Sequence, residues 1–117
     1  MIIELPYPSK DLNPNGRIHW AQLARAKKGY RGDCALFTRM AIGRKTFTAP
    51  VTISITMYPP DRRRRDDDNA IASFKAGRDG VADAIKVDDA DWDTTYRVEK
   101  EPLNKVVIEI KTEQETT

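Results

Sequence analysis

The clearest pattern in the chain is a strict alternation of apolar and polar residues over positions 51–57, VTISITM. A period of two is typical of a β-strand that buries one face. β-branched residues dominate the run, which favours a strand further, and Pro59 and Pro60 follow it. The pattern therefore predicts a strand whose Val, Ile and Met side chains face a core.

Shorter alternating runs predict the other strands. The first covers residues 2–5 and stops at Pro6. Two more, at 96–100 and 106–111, lie on either side of a Pro-Leu-Asn turn, so we expect them to pair as a hairpin. Residues 8–17 are rich in turn formers and predict a loop.

Two segments repeat their apolar residues with the period of an α-helix. The first begins at Trp20 and is ended by Gly43, with an apolar stripe at positions 20, 23, 27, 30, 34, 37 and 41. Its one polar member is Lys27. The second helix is predicted from Asn69 to position 85, and Arg78 interrupts its apolar face. Both helices are expected to pack on the sheet.

The predicted order is βαβαββ, an α+β domain with α/β layering in which two helices pack on a mixed sheet. We assign residues 1–112 to this domain and 113–117 to a flexible tail. The length of 117 residues, with 39% hydrophobic and 32% charged residues, fits one globular domain. No apolar run is long enough to span a membrane, and no secretory signal is visible, so a cytoplasmic protein is expected.

Charge changes the picture because it is divided along the chain. Residues 1–65 contain 13 Lys and Arg against 4 Asp and Glu, whereas residues 66–117 contain 7 against 14. The sign changes inside residues 62–69, RRRRDDDN. A basic half suits a polyanion, and an acidic half suits solvation or the binding of cations.

The single cysteine and single histidine exclude an internal disulfide and a Cys/His zinc site. Any metal must therefore be held by oxygen. We expect Cys34 to be buried on the apolar stripe of the first helix. His19 is expected to be a hydrogen-bonded structural residue, and Trp20 a core or dimer contact.

The acidic residues at 66–68 form a candidate site. In extended chain Asp66 and Asp68 project to the same side; if a helix begins near Asp68, Lys75 follows two turns later on nearly the same side. A second acidic cluster follows at 88–91. If the helix returns the chain across the sheet, this loop would approach the end of the hairpin and place another carboxylate near the first pair. Such oxygen ligands suit Mg²⁺ or Mn²⁺. The alternative is that the arginines only neutralise these aspartates on a solvated turn.

The run PDRRRRDDDN, the helix with Lys75 and the later KVDDADW together resemble the RusA family of Holliday junction resolvases. LPYPSKDLNPNGRIHW resembles the family's opening strand and loop, and the resemblance extends from Leu5 to about Ile110. It implies a RusA-like fold and a homodimeric, Mg²⁺-dependent endonuclease. Such an enzyme resolves four-way DNA junctions by paired nicks in opposing strands and uses no nucleotide cofactor.

The resemblance also implies roles for particular residues. It places the family's paired aspartates on Asp66 and Asp68, its helix lysine on Lys75 and its third essential aspartate on Asp89, with Asn69 in support. The three aspartates would be metal ligands and Lys75 would position water or stabilise charge. The neighbouring acids Asp67 and Asp88 are further candidate ligands. Two features depart from the family: an acid stands between the paired aspartates, and Lys75 lies further along the chain.

Basic residues are predicted to contact DNA phosphates without reading bases. The candidates are Arg62, Arg63, Arg64, Arg65, Lys10 and Arg17. At least one of the four arginines is expected to pair with Asp61 or Asp67. Arg25, Lys27 and Lys28 are either secondary phosphate contacts or a solvated helix face.

Two other functions remain open at this stage. One is a catalytically silent DNA-binding module in which the aspartates only shape the turn. The other is a general structure-selective nuclease that acts on flaps or forks. Cleavage of branched and linear DNA, with and without Mg²⁺, separates these alternatives.

Overall fold

A computed structural model describes residues 1–112 of the chain, so the tail predicted at 113–117 lies outside the described residues. The strands are β1 (Ile2–Pro6), β2 (Val51–Tyr58), β3 (Trp92–Val98) and β4 (Lys105–Thr112), and the helices are α1 (Trp20–Ile42), α2 (Asp67–Ser73) and α3 (Lys75–Ile85). Short 3₁₀ turns occupy Lys10–Leu12 and Asp89–Asp91.

The four strands form one mixed sheet in the order β1-β4-β2-β3. β4 is antiparallel to both of its neighbours, and β2 and β3 are parallel from Val51 opposite Trp92 to Met57 opposite Val98. Helices pack against one face of this sheet. The expected small α+β domain with a mixed sheet and helices on it is therefore confirmed.

The predicted hairpin between the last two strands is wrong, because β2 lies between β3 and β4. α2 and α3 carry the chain from the end of β2 back to the start of β3, so β3 runs parallel to β2 along its outer edge. Residues 99–104 then pass over the end of β2. Two backbone hydrogen bonds fix this passage, from Glu99 N to the Met57 carbonyl and from Asn104 N to the Pro59 carbonyl.

The core lies between the helices and one face of the sheet. The alternation along β2 is confirmed, since Val51, Ile53, Ile55 and Met57 are almost fully buried. Ile108 and Ile110 of β4 extend the same apolar layer. Burial of such side chains stabilises the fold by roughly 1.5–3 kcal/mol each.

The predicted second helix is divided in two by Phe74. Its backbone leaves regular helix at φ −88° and ψ −1°, and its side chain is fully buried against the edge of Tyr30. α3 then packs closely on α1. A Cβ at Gly80 would collide with the backbone carbonyl of Arg31, so only glycine permits this approach.

α1 begins and ends where the sequence predicts, but its buried face differs from the predicted stripe. The buried residues are Tyr30, Cys34, Ala35 and Thr38. Phe37 is 43% exposed and Trp20 is 76% exposed, so the core contact expected for Trp20 is wrong. The core follows the 3.6-residue period from 34 to 38, which turns position 37 away from the sheet.

The predictions for Cys34 and His19 are confirmed. Cys34 is fully buried, and this burial raises the pKa of its thiol to about 12. His19 caps α1: its Nδ1 accepts a hydrogen bond from Ala21 N at 3.2 Å. Within residues 1–112, no helix is long and apolar enough to cross a membrane.

Candidate functional site

The acidic residues of the charged run form the beginning of α2. Asp66 is its N-cap, and its Oδ1 accepts a hydrogen bond from the backbone N of Asp68 at 2.9 Å. Asp67 and Asp68 belong to the first helical turn, where negative charge is favoured by the helix dipole. A helix thus begins at Asp67, close to the predicted start, but Phe74 ends α2 before Lys75, so one continuous helix does not carry both Asp68 and Lys75. These acids have a local structural role as well as any chemical one.

The arginines before α2 divide into one paired and three exposed residues. Arg65 forms an ion pair with Asp61 at 2.7 Å (Nη1 to Oδ1) and donates to the Asp61 and Arg63 carbonyls. The hydrogen bond from the Arg65 side chain to the Asp61 carboxylate lowers the pKa of Asp61. A hydrogen bond from the backbone N of Arg63 to the same carboxylate lowers it further. Arg62, Arg63 and Arg64 remain exposed to solvent. The expected pairing of one arginine is confirmed.

Lys10 lies beside the charged run although more than 50 residues separate them in sequence. A cleft of about 360 Å³ is lined by Lys10, Arg64 and Arg65 together with Asp66 and Asn69. The loop after β1 and the start of α2 form its opposite walls. We call this the acidic-basic cleft. It brings three of the predicted phosphate-binding residues next to two of the predicted site residues.

Lys75 bridges two carboxylates. Its Nζ lies 3.2 Å from Asp79 Oδ1 and 3.6 Å from Asp89 Oδ2. The hydrogen bond to Asp79 raises the pKa of Lys75, and the charge of Asp89 adds to the shift. Asp89 of the second acidic cluster therefore contacts the helix that carries the lysine.

Arg78 is a site residue that the sequence does not reveal. Its Nε lies 3.1 Å from Asp89 Oδ2, and its Nη1 donates to the Tyr96 hydroxyl at 3.0 Å. The guanidinium also stacks over the buried ring of Trp92, 5.1 Å from its centroid. The sequence does place this cation within an apolar helical stripe. Such a position indicates a polar partner, because a half-buried charge is costly without one.

Trp92 lies beneath this group. It is 9% exposed, and its indole Nε1 donates to the Val87 carbonyl at 3.0 Å. Asp88 is turned toward the backbone instead, since its Oδ1 accepts a hydrogen bond from Ala90 N and caps the 3₁₀ turn.

The three predicted metal ligands are not gathered around one point. Among residues 1–112, no three His, Cys, Asp or Glu side chains are grouped so that they would hold a metal ion as they stand. Asp66 caps α2, while Asp89 contacts Lys75 and Arg78. The ligand chemistry suits a hard divalent cation, but the present arrangement joins Asp89 to cationic side chains.

The remaining basic residues lie near the same loop. Arg17 and Lys10 line a shallow cleft of about 330 Å³ at the loop's outer side. Lys27 and Lys28 of α1 line another cleft, together with Lys75. Of the candidates for phosphate contact, these four therefore surround the loop that follows β1.

No family model matches this chain. The chain is similar to a protein of Xylella fastidiosa that is described only as an uncharacterized protein, with 45% identity over 91 residues. The matched part is 74% of this chain and 59% of the relative, so the chain spans less than two thirds of the relative's length. The relative's description names no activity.

Proposed function

We propose that this protein is a cytoplasmic, Mg²⁺-dependent endodeoxyribonuclease that resolves four-way DNA junctions by paired nicks in opposing strands. The observation that carries the proposal is the acidic-basic cleft, where Asp66 and Asn69 lie with Lys10, Arg64 and Arg65. A phosphodiester held by these cations would lie beside Asp66, one of the three proposed metal ligands. The resemblance of the charged run to RusA resolvases selects branched DNA as the substrate.

The cations of the cleft suit the DNA backbone. Arg64 of the cleft and its neighbours Arg62 and Arg63 are exposed, and within residues 1–112 only Arg63 of these three lies near a carboxylate, at 4.0 Å from Asp61. Arginine binds phosphate oxygens with two parallel hydrogen bonds. Lys10 adds a charge from the opposite wall. These contacts hold the backbone without selecting a sequence.

The carboxylates of Asp66, Asp68 and Asp89 would hold the cation, either Mg²⁺ or Mn²⁺. Bound there, the ion would supply an activated water and neutralise charge on the phosphate. Asp89 must first exchange its contacts with Lys75 and Arg78 for this role. The neighbouring acids Asp67 and Asp88 are further candidate ligands for this ion.

Lys75 has a separate part in the proposal. Its side chain is 68% exposed, and its ammonium is held by Asp79 and Asp89, which raise the pKa of Lys75 and keep it charged. A fixed positive charge beside a phosphate stabilises the additional negative charge that develops during hydrolysis. Its position beside both acids also orients any water between them.

The second candidate is a DNA-binding module without catalytic activity. It is favoured by one observation: Asp66 caps α2 and Asp89 is neutralised by Arg78 and Lys75, so both acids have structural partners. In that case the basic surfaces would bind DNA and the aspartates would only maintain the fold.

Replacement of Asp68 by Asn separates the two candidates. The Asp68 side chain is exposed and, within residues 1–112, makes no hydrogen bond or ion pair, so the change leaves the fold intact. A nuclease should bind labelled four-way junctions as before but lose Mg²⁺-dependent cleavage by about 100-fold or more, as for loss of a transition-state interaction. The measurement is a gel assay with Mg²⁺ or with EDTA.

The control is Asp93→Asn, an exposed acid of β3 on the open face of the sheet, which should cleave normally. If the unaltered protein binds junctions and cuts none of them with Mg²⁺ or Mn²⁺, the binding module is correct. Equal cutting of four-way, flap and linear duplex substrates would instead identify a general nuclease.

Paired nicks require two sites related by symmetry, so the proposal includes a homodimer. Its interface is proposed on the solvent face of α1, where Leu36 and Met40 are 54% and 70% exposed one turn apart, next to Phe37. Sedimentation should show twice the chain mass of 13.3 kDa. Leu36→Glu should dissociate the dimer, while Leu103→Glu, at an equally exposed position elsewhere, should not. A protein that sediments as one chain at micromolar concentration contradicts this part.

A further inference from the structure

A second cleft lies on the other side of the loop that follows β1. Its volume is about 680 Å³, within the range of small-ligand sites. Residues 11–18 of the loop form one wall, α1 forms the second, and the junction of α2 and α3 forms the third. We call it the loop cleft.

The floor of the loop cleft is aliphatic. It is formed by Leu12, Ile18 and Leu23 on the loop and α1 side and by Ala72 and Ala76 on the other. Leu12 and Ala76 are buried, whereas Ala72 is exposed. A flat apolar group such as a nucleobase would remove this surface from water, and its edge would stay near the polar loop.

The rim of the cleft is cationic. Lys27 and Lys28 are exposed on it, and within the described part of the chain neither makes an ion pair or a side-chain hydrogen bond. Of the acids on the rim, Asp79 pairs with Lys75, and Asp11, which accepts a hydrogen bond from the neutral Gln22 amide, is outnumbered by the two lysines. The charge left over is positive, which suits an anionic occupant.

The loop cleft adjoins the acidic-basic cleft. Asn13 and Ser73 line both, so they form the boundary between the two. Lys75 lies in the loop cleft and Asp66 in the other. A DNA strand that follows both clefts would run from the lysines of α1 past Lys75 to the arginine run.

We propose that the loop cleft seats one unpaired nucleotide of a bound DNA strand, with its base on the aliphatic floor and its phosphates on Lys27 and Lys28. This inference rests on the proposed function for its choice of DNA. A paired base is stacked on both faces and has no free surface for such a floor. An unpaired base at a branch point has one, and its release from the stack is least costly there.

The test uses a four-way junction with 2-aminopurine at the branch point, in EDTA so that nothing is cut. Binding should increase the fluorescence as the base leaves its neighbours. Ala72→Leu fills the floor at an exposed helical position, so it should abolish the increase and weaken binding about tenfold, the usual range for one base contact. Ala41→Leu, an exposed alanine of α1 outside the cleft, is the matched control.

A second pair of variants tests the rim. Lys27→Gln combined with Lys28→Gln should weaken junction binding. Arg44→Gln should not, because Arg44 is an exposed residue just after α1 that lines neither cleft. An unchanged fluorescence increase in Ala72→Leu would overturn the inference, as would free deoxyadenosine monophosphate that binds as tightly as the junction. Cleavage is scored separately in Mg²⁺: cutting without the fluorescence change removes only this inference, and the change without cutting removes only the nuclease.

Discussion

Asp66 serves two purposes with one carboxylate. It caps α2 through a hydrogen bond from the backbone N of Asp68, and in the proposed function it is also a metal ligand. A carboxamide or hydroxyl oxygen caps a helix about as well as a carboxylate does. The structural purpose and the chemical one can therefore be separated by the choice of substitution.

Asp66→Ala should destabilise the protein by about 1 kcal/mol, because it removes the cap. Asp66→Asn should preserve most of that stability and still lose cleavage, since it retains the cap and removes the negative charge. Urea unfolding of both variants measures the free energies, and the junction assay measures the activity. An Asn variant with full cleavage would show that Asp66 is only a cap.

Arg78 should stabilise the fold more than any exposed arginine does. Its side chain is 21% exposed and bonds to Asp89 and Tyr96, so Arg78→Met leaves the Asp89 carboxylate with Lys75 alone. We expect a loss of about 1–3 kcal/mol in the free energy of unfolding. Arg62→Met, at an exposed position, should change it by less than about 0.5 kcal/mol. Equal effects of the two variants would show that this network contributes nothing to the fold.

At the scale of elements, two glycines of the helices have opposite surroundings. Gly80 on α3 touches the backbone of α1, and a side chain there would displace that helix. Gly29 lies on α1, and apart from the backbone of α1 itself no atom of residues 1–112 lies within 4 Å of the position a Cβ would occupy. The two therefore differ in packing while sharing a helical backbone.

Gly80→Ala should destabilise the protein by roughly 1–3 kcal/mol, as for an overpacked core. Gly29→Ala should stabilise it by roughly 0.5–1 kcal/mol, because alanine loses less backbone entropy in a helix. Thermal or urea unfolding of the two variants gives both signs in one experiment. Destabilisation by Gly29→Ala would mean that something outside the chain needs that space.

The elements also show where sequence reasoning reaches its limit. The bounds of α1 are marked by a cap and Gly43, which act within a few residues of the helix ends. The partner of β3 is not marked in this way. Its position beside β2 depends on the crossover through α2 and α3, and the short turn suggested by Pro102 and Asn104 is overruled by that longer connection.

On the scale of the whole molecule, basic residues from the first half of the chain line two adjoining clefts. Lys10 shares one cleft with Arg64 and Arg65, and Lys27 and Lys28 of α1 line the next. Each phosphate that these residues neutralise releases counterions, so binding to DNA should weaken steeply with salt.

The slope of log affinity against log salt should fall by about 0.9 when Arg64 is replaced by Gln, the value for one phosphate contact on duplex DNA. Arg44→Gln should leave the slope unchanged, because that arginine lies outside both clefts. The slope is measured by fluorescence anisotropy with a labelled junction in EDTA, from about 50 to 300 mM salt. This range brackets the ionic strength of about 0.1 M at which exposed charges are screened beyond about 10 Å. A slope near zero for the unaltered protein would contradict DNA binding through these residues.

The sequence by itself determined what nearest neighbours decide. The alternation at 51–57 defined β2 and its buried face, His19 and Gly43 defined the ends of α1, and the charged run showed where the acidic and basic residues meet. These features depend on the period of a strand or helix and on hydrogen bonds within a few residues, so they can be predicted from the sequence.

Only the tertiary structure decided which distant groups meet. It placed β2 between β3 and β4 and left Trp20 exposed to solvent. It also paired Asp89 with Arg78 and Lys75, whereas the sequence had suggested a group with Asp66 and Asp68. Lys10 joins Asp66 in one cleft for the same reason. Each of these contacts connects segments far apart in the chain, and its geometry follows from how the helices pack on the sheet, which no local period encodes.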